Sequence, residues 1–208
     1  MASSTGWYGS STPDAWLKPG VLVGGLVPLF AIALGTVRGT LGANPVADVL
    51  NQLGLLALLF LVASLAATPL KLLMGWSWPV RIRRLLGLLA FFYATLHMLT
   101  YVAVDRLGEL ATIVEDILKR PFITVGFAAW LLLVPLAVTS TRASLKRLGF
   151  ARWKLLHKLS YLAAPLAVVH FVWRVKKDMD EPLTYAVVLA FLLAVRAFAW
   201  LGAKHKRR

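Results

Sequence analysis

The chain has 208 residues, of which 59% are hydrophobic and 15% charged, with a mean hydropathy of +0.73, a composition that excludes an ordinary soluble domain. It contains no cysteine, which excludes disulfides, thiolate catalysis, cysteine-ligated iron–sulfur clusters and thioether-linked haem. The net charge of +14 does not point to nucleic acid, because the basic residues sit in short connections between apolar runs, where they set orientation in a membrane.

Residues 1–18 lack a basic start followed by an apolar core, so they read as a cytoplasmic N-terminal segment and not as a secretory signal. Residues 19–203 are expected to form one all-α membrane domain of six transmembrane helices. Residues 204–208 form a basic tail. In chain order the spans are Val21–Val37, Leu53–Leu70, Leu85–Val104, Phe122–Val138, Leu159–Val175 and Leu183–Leu201. Each approaches the roughly 20 residues that cross a bilayer. The runs are continuous and not alternating, and lipid demands internal backbone pairing, so helix is expected over strand.

The connection after the second span carries Lys71, Arg81, Arg83 and Arg84. The one after the fourth carries Arg142, Lys146, Arg147, Arg152, Lys154 and Lys158, and the tail carries Lys204, Lys206, Arg207 and Arg208. The opposite connections hold Asp48, Asp105, Glu109, Glu115, Asp116, Asp178, Asp180 and Glu181. The positive-inside rule places both termini and the basic face in the cytoplasm.

Of four histidines, His205 is in the tail. His97 and His170 lie inside the third and fifth spans, and His157 lies at the cytoplasmic edge of the fifth. Intramembrane imidazoles either hydrogen-bond neighbouring helices or mark function. The third and fifth spans run in the same direction. His97 follows Arg84 by the same number of residues as His170 follows His157, about 20 Å along a helix axis. His97 and His170 are therefore expected at equal depth, as bis-imidazole ligation of a haem requires. Zinc would need three or four ligands close together, and the spans are expected to supply no carboxylate. His157 and His170 do not share an ideal helical face, and Pro165 between them is a candidate kink.

Arg196 is expected to be the lone basic side chain inside the spans. It either snorkels to the interface or pairs with an anionic cofactor group. Trp76, Trp78, Trp153, Trp173 and Trp200 fall near span ends, as an aromatic belt would. Tyr93 and Tyr101 flank His97 by four residues on either side.

The strings RRLLGL (83–88), FFYATLH (91–97), RPF (120–122), PLAVTSTRASLKRLG (135–149) and WKLLHKLSYL (153–162), with LGANP (41–45) and HFVWRVKKD (170–178), resemble the MsrQ (YedZ) family. These are the haem-binding membrane subunits of bacterial protein-methionine-sulfoxide reductase systems. They lie within the ferric-reductase-like superfamily, which also holds NADPH oxidases and ferric reductases. Those relatives carry two histidines on each of two helices and two stacked haems. Here His97, His157 and His170 match three of the four positions, and the fourth falls at Arg83 or Arg84.

The resemblance implies haem b at an outer site with axial ligands His97 and His170. It leaves open a second haem or an FMN at an inner site with His157, where Arg83, Arg84 and Arg196 would meet propionates or a flavin phosphate. It implies an electron-transfer subunit, not a catalytic one, in the bacterial inner membrane. That subunit would take electrons from the quinone pool or a cytoplasmic flavin reductase and pass them to a periplasmic molybdopterin methionine sulfoxide reductase that repairs oxidised proteins. The superfamily's FAD/NADPH domain is expected to be absent, which makes the donor a separate molecule. The alternatives are a self-contained ferric or quinone reductase of the same fold, or a small transporter with a histidine proton relay.

Overall fold

A computed structural model describes residues 16–175 and 178–205, with the side chains of 204 and 205 outside that description. Most of the expected segment 1–18, the side chains of the tail 204–208 with His205, and Lys176 and Lys177 of the 170–178 motif therefore lie outside the described residues. The described chain is helical and includes six helices long and apolar enough to cross a membrane.

The helices are α1 (Leu17–Arg38), α2 (Pro45–Met74), α3 (Trp78–Thr100), α4 (Leu110–Lys119), α5 (Pro121–Val138), α6 (Arg142–Leu148), α7 (Phe150–Leu156), α8 (Ser160–Arg174) and α9 (Asp180–His205). A π-helical turn, Tyr101–Asp105, continues α3, and a 3₁₀ turn, His157–Leu159, joins α7 to α8 into one span. Spans α3 and α7–α8 run parallel, from the basic end of the bundle to the far end.

Several helices outrun their apolar stretches. α2 begins at Pro45, eight residues before the expected Leu53. Asn44 caps it by accepting from the Ala47 N–H at 3.1 Å, and Pro45 occupies the first position, where its missing N–H costs nothing. Its 30 residues span about 45 Å, more than a ~30 Å hydrocarbon core. The excess places Asp48 and Asn51 on a helix at the far end. α3 likewise starts at Trp78 and not Leu85, with Pro79 in its first turn, so Arg83 and Arg84 are helical. The fifth span starts at Phe150 and not Leu159, so His157 is within it.

α2 packs along α3 and α5 along α8. Their shared core is Leu58, Leu61, Val62, Leu65 and Ala90 against Leu133, Leu136, Ala163, Ala164 and Val168, with Leu189 and Leu192 of α9. Ala90, Ala163 and Ala164 are wholly buried. Small residues at such positions let membrane helices approach closely. α1 is peripheral. It is tied to α3 by the buried Tyr93 hydroxyl, which donates to the Gly25 carbonyl at 2.6 Å, while its Val23, Val27 and Phe30 are left exposed as a lipid-facing surface.

α4 has no counterpart among the elements expected from the sequence. This helix lies across the far end, turning Ile113, Asp116 and Ile117 inward and leaving Leu110, Val114 and Leu118 exposed.

Candidate functional site

His97 comes from the last turns of α3 and His170 from α8. The matched depth expected from their spacing is what the bundle has, with ring centroids 6.1 Å apart and planes crossed at 80°. Each ring is pinned from behind. His97 Nδ1 lies 2.9 Å from the Leu50 carbonyl and His170 Nδ1 lies 2.6 Å from the Phe122 carbonyl. A carbonyl oxygen only accepts, so each Nδ1 carries the proton and donates it. Each Nε2 is then left as a lone-pair donor, the tautomer that a metal-ligating imidazole needs.

Close helix contact makes this pinning possible. A Cβ at Gly54 of α2 would stand 3.2 Å from His97 Nδ1, and one at Gly126 of α5 only 2.6 Å from His170 Nδ1. Glycine at both places lets the neighbouring backbone press against the imidazoles.

The two histidines line a cavity of about 340 Å³ with mostly apolar walls, among them Leu58, Ala94, Phe127, Leu133 and Ala167. Two imidazoles on opposite sides of one metal, each about 2 Å from it, put their ring centres about 6 Å apart, which matches the observed separation. Among the described residues no three His, Cys, Asp or Glu converge as a metal site. The pair would thus fill only two positions of a coordination sphere and leave the rest to a macrocycle. A flat apolar macrocycle with axial imidazoles suits both the walls and the ligands.

At the far end this cavity turns polar, with Asn51, Tyr101, Asp105, Arg106, Arg120 and Arg174. None of these three arginines was expected from the sequence to have a role. The expectation that Arg196 is the lone basic residue inside the spans is corrected by Arg174, which lies in the last turn of α8. An Arg four residues after a ligand-type His was the available signal, since that spacing puts both on one helix face.

His157, Arg83, Arg84 and Arg196 come together in a second cavity of about 550 Å³ at the basic end, which also carries Arg142, Lys154 and Lys158 and, among the described residues, no carboxylate. Leu61 and Leu133 line both cavities, so the two stand one above the other with those leucines as the floor between them. The 3₁₀ turn at His157 rotates the chain about 120° per residue instead of about 100°, which recovers part of the angular offset between His157 and His170.

Arg196 does not snorkel outward. Its Nη1 donates to the Tyr161 hydroxyl at 2.6 Å and Nη2 to the Leu65 carbonyl, while Nε is buried without a hydrogen-bond partner among the described residues. Trp153 is more than an interfacial anchor. Its ring stacks on His157 at 3.9 Å, and its Nε1 donates to the Thr139 carbonyl at 3.0 Å. His157 Nε2 lies 3.1 Å from the Thr139 hydroxyl. Neither flanking tyrosine has a ring contact with His97 among the described interactions. Tyr93 binds α1, and the Tyr101 hydroxyl donates to Asp116 at 2.8 Å.

The family described as ferric reductase like transmembrane component matches residues 52–168. The chain is 53% identical to a Deinococcus radiodurans protein over 86% of its own length and 89% of the relative's. It is 53% identical to a Rhodospirillum rubrum protein over 85% of each, and 44% identical to a Herminiimonas arsenicoxydans protein over 88% and 86%. All three are named "protein-methionine-sulfoxide reductase heme-binding subunit MsrQ".

Proposed function

The chain belongs to the MsrQ subunits of the ferric-reductase-like transmembrane family, and on that premise we propose that it is a haem b electron-transfer subunit of the bacterial inner membrane serving a methionine sulfoxide reductase. The observation that carries this reading is the pair of imidazoles, His97 and His170, lining one cavity with centroids 6.1 Å apart and both Nδ1 atoms tied to carbonyls. Haem bound there supplies one-electron redox chemistry without a change of ligand.

The protein's own contribution is to fix both imidazoles in the ligating tautomer and to keep the site apolar. The α4 roof, with Ile113 and Ile117, covers it at the far end. The acceptor in this reading is a periplasmic molybdopterin enzyme at the far end, and the donor is the quinone pool or a cytoplasmic flavin reductase at the basic end. Purified protein tests the assignment. Reduced by dithionite under anaerobic conditions, it should discharge into the molybdoenzyme. Discharge into ferric chelates alone would make it a self-contained reductase.

The same reading fixes a direction. Reporter fusions in the connection 75–77 and at the C-terminus should report cytoplasm, and a fusion at Gly108 should report periplasm. The reverse pattern would reverse the electron route.

At the basic end the arrangement favours an anionic ligand held by guanidiniums. Among the described residues, Arg196 has a buried Nε without a hydrogen-bond partner, Trp153 covers one face of His157, and no second imidazole lines that cavity. FMN held by its phosphate fits this better than a second haem ligated by His157. Arg83→Ala or Arg196→Ala should weaken flavin binding about tenfold, the worth of one charge-assisted hydrogen bond, and His157→Ala should slow reduction of the far haem from the cytoplasmic side. Stopped-flow reduction by a flavin donor or a quinol measures this. Unchanged rates and cofactor content in all three variants would make His157 structural.

A further inference from the structure

The polar end of the His97–His170 cavity carries three guanidiniums, and they are not equivalent. Asp116, 5% exposed, is held by Arg106 Nε at 2.7 Å and Arg120 Nε at 3.0 Å, and it accepts from the Tyr101 hydroxyl. Arg106 also lies 3.3 Å from Asp105. Those two arginines are committed to a carboxylate cluster that fastens α4 over the cavity.

Arg174 differs. It is half-buried, donates to the neutral side-chain oxygen of Asn51, and lies over the Phe171 ring at 5.6 Å. Among the described residues it has no carboxylate within ion-pairing distance, and Glu181 of α9 acts on it only at longer range. A partly desolvated guanidinium whose contacts are neutral is costly, more so in a chain set in lipid. Arg174 stands four residues after His170 on the same helix face, about 6 Å further along the axis, and lines the same cavity.

We propose that Arg174 is the carboxylate anchor of this cavity, pairing with a propionate at the rim of the haem held by His97 and His170, with Asn51 fixing the orientation of the guanidinium. The proposal rests on the haem reading above. It uses what distinguishes arginine from lysine, a planar fork that meets a carboxylate with two parallel hydrogen bonds. The cavity then matches the ligand in kind: apolar walls for the macrocycle, imidazoles for the iron and, among the described residues, a cation without a carboxylate partner for the acidic edge.

The test compares haem with its dimethyl ester, in which both carboxylates are capped and uncharged. Full-length protein produced without haem is loaded in detergent with either compound, and binding is followed by the low-spin spectrum. Wild type should prefer haem over the ester by about tenfold or more, the size of one charge-assisted pair. Arg174→Gln should lose that preference through weaker haem binding, with ester binding unchanged, and Arg174→Lys should recover part of it. The midpoint potential of the haem in Arg174→Gln should fall, since a cation beside the porphyrin favours the reduced state. Three outcomes overturn the proposal: a wild type that does not discriminate, an Arg174→Gln protein that still does, or a variant that loses both compounds equally. His97→Ala, loaded in parallel, separates the two levels. A low-spin spectrum that survives this substitution would sink the haem assignment itself.

Discussion

Replacing either His97 or His170 with alanine should abolish the low-spin haem spectrum and cut haem content about tenfold or more. The two rings line one cavity with centroids 6.1 Å apart, and no third imidazole among the described residues lines it to take over. Loss of one axial ligand leaves a five-coordinate iron, whose spectrum differs in kind from that of a bis-imidazole haem. Each substitution also removes the hydrogen bond that ties the helix to a backbone carbonyl of its neighbour, that of Leu50 or Phe122, so the cavity wall loses an interhelical tie. Haem analysis and reduced-minus-oxidised spectra of detergent-purified variants check this. A normal spectrum with full haem content in both variants would refute the ligand assignment.

Gly126→Ala should impair the site nearly as severely without touching a ligand. The added methyl would sit 2.6 Å from His170 Nδ1 and 2.8 Å from Cε1, closer than any stable contact, and the ring cannot yield without losing its hydrogen bond to the Phe122 carbonyl. Helix propensity pulls the other way, because alanine is favoured over glycine by about 1 kcal/mol in a helix interior. α5 itself should therefore persist while His170 is displaced. Removing the partner that orients a ligand typically costs 10–100-fold in metal affinity, so haem retention should drop by about tenfold. Gly54→Ala, with its nearest contact at 3.2 Å, should have a smaller effect of the same kind, and Gly24→Ala, which meets nothing within 4 Å, should have none. Measuring haem content and thermal stability together separates displacement of the ligand from unfolding. A Gly126→Ala protein with full haem and wild-type stability would show that the contact relaxes freely.

What was legible in the sequence follows from lipid as a solvent. Six apolar runs had to become helices because an unpaired backbone group is too costly in hydrocarbon, and equal spacing of His97 and His170 from the basic end had to give equal depth because helices advance by a fixed rise. Hydropathy failed at the ends of helices. Asp48, Asn51, Arg81, Arg83 and Arg84 interrupt the apolar pattern but not the helix, because the caps at Asn44–Pro45 and Pro79 set the true starts. α4 escaped notice because a short helix lying across the end of a bundle needs only one inward stripe.

The spans, their parallel or antiparallel order and the depth of the histidines all scale with position along one chain, so they could be read from the residues in order. The rotation of each helix about its axis, and its approach to its neighbours, depend on packing between segments far apart in sequence, and these emerged only in the assembled bundle. Packing brought Gly54 and Gly126 against the imidazoles, turned Arg196 inward to Leu65 and Tyr161, laid Trp153 on His157, and separated Arg174 from the two arginines that Asp116 holds.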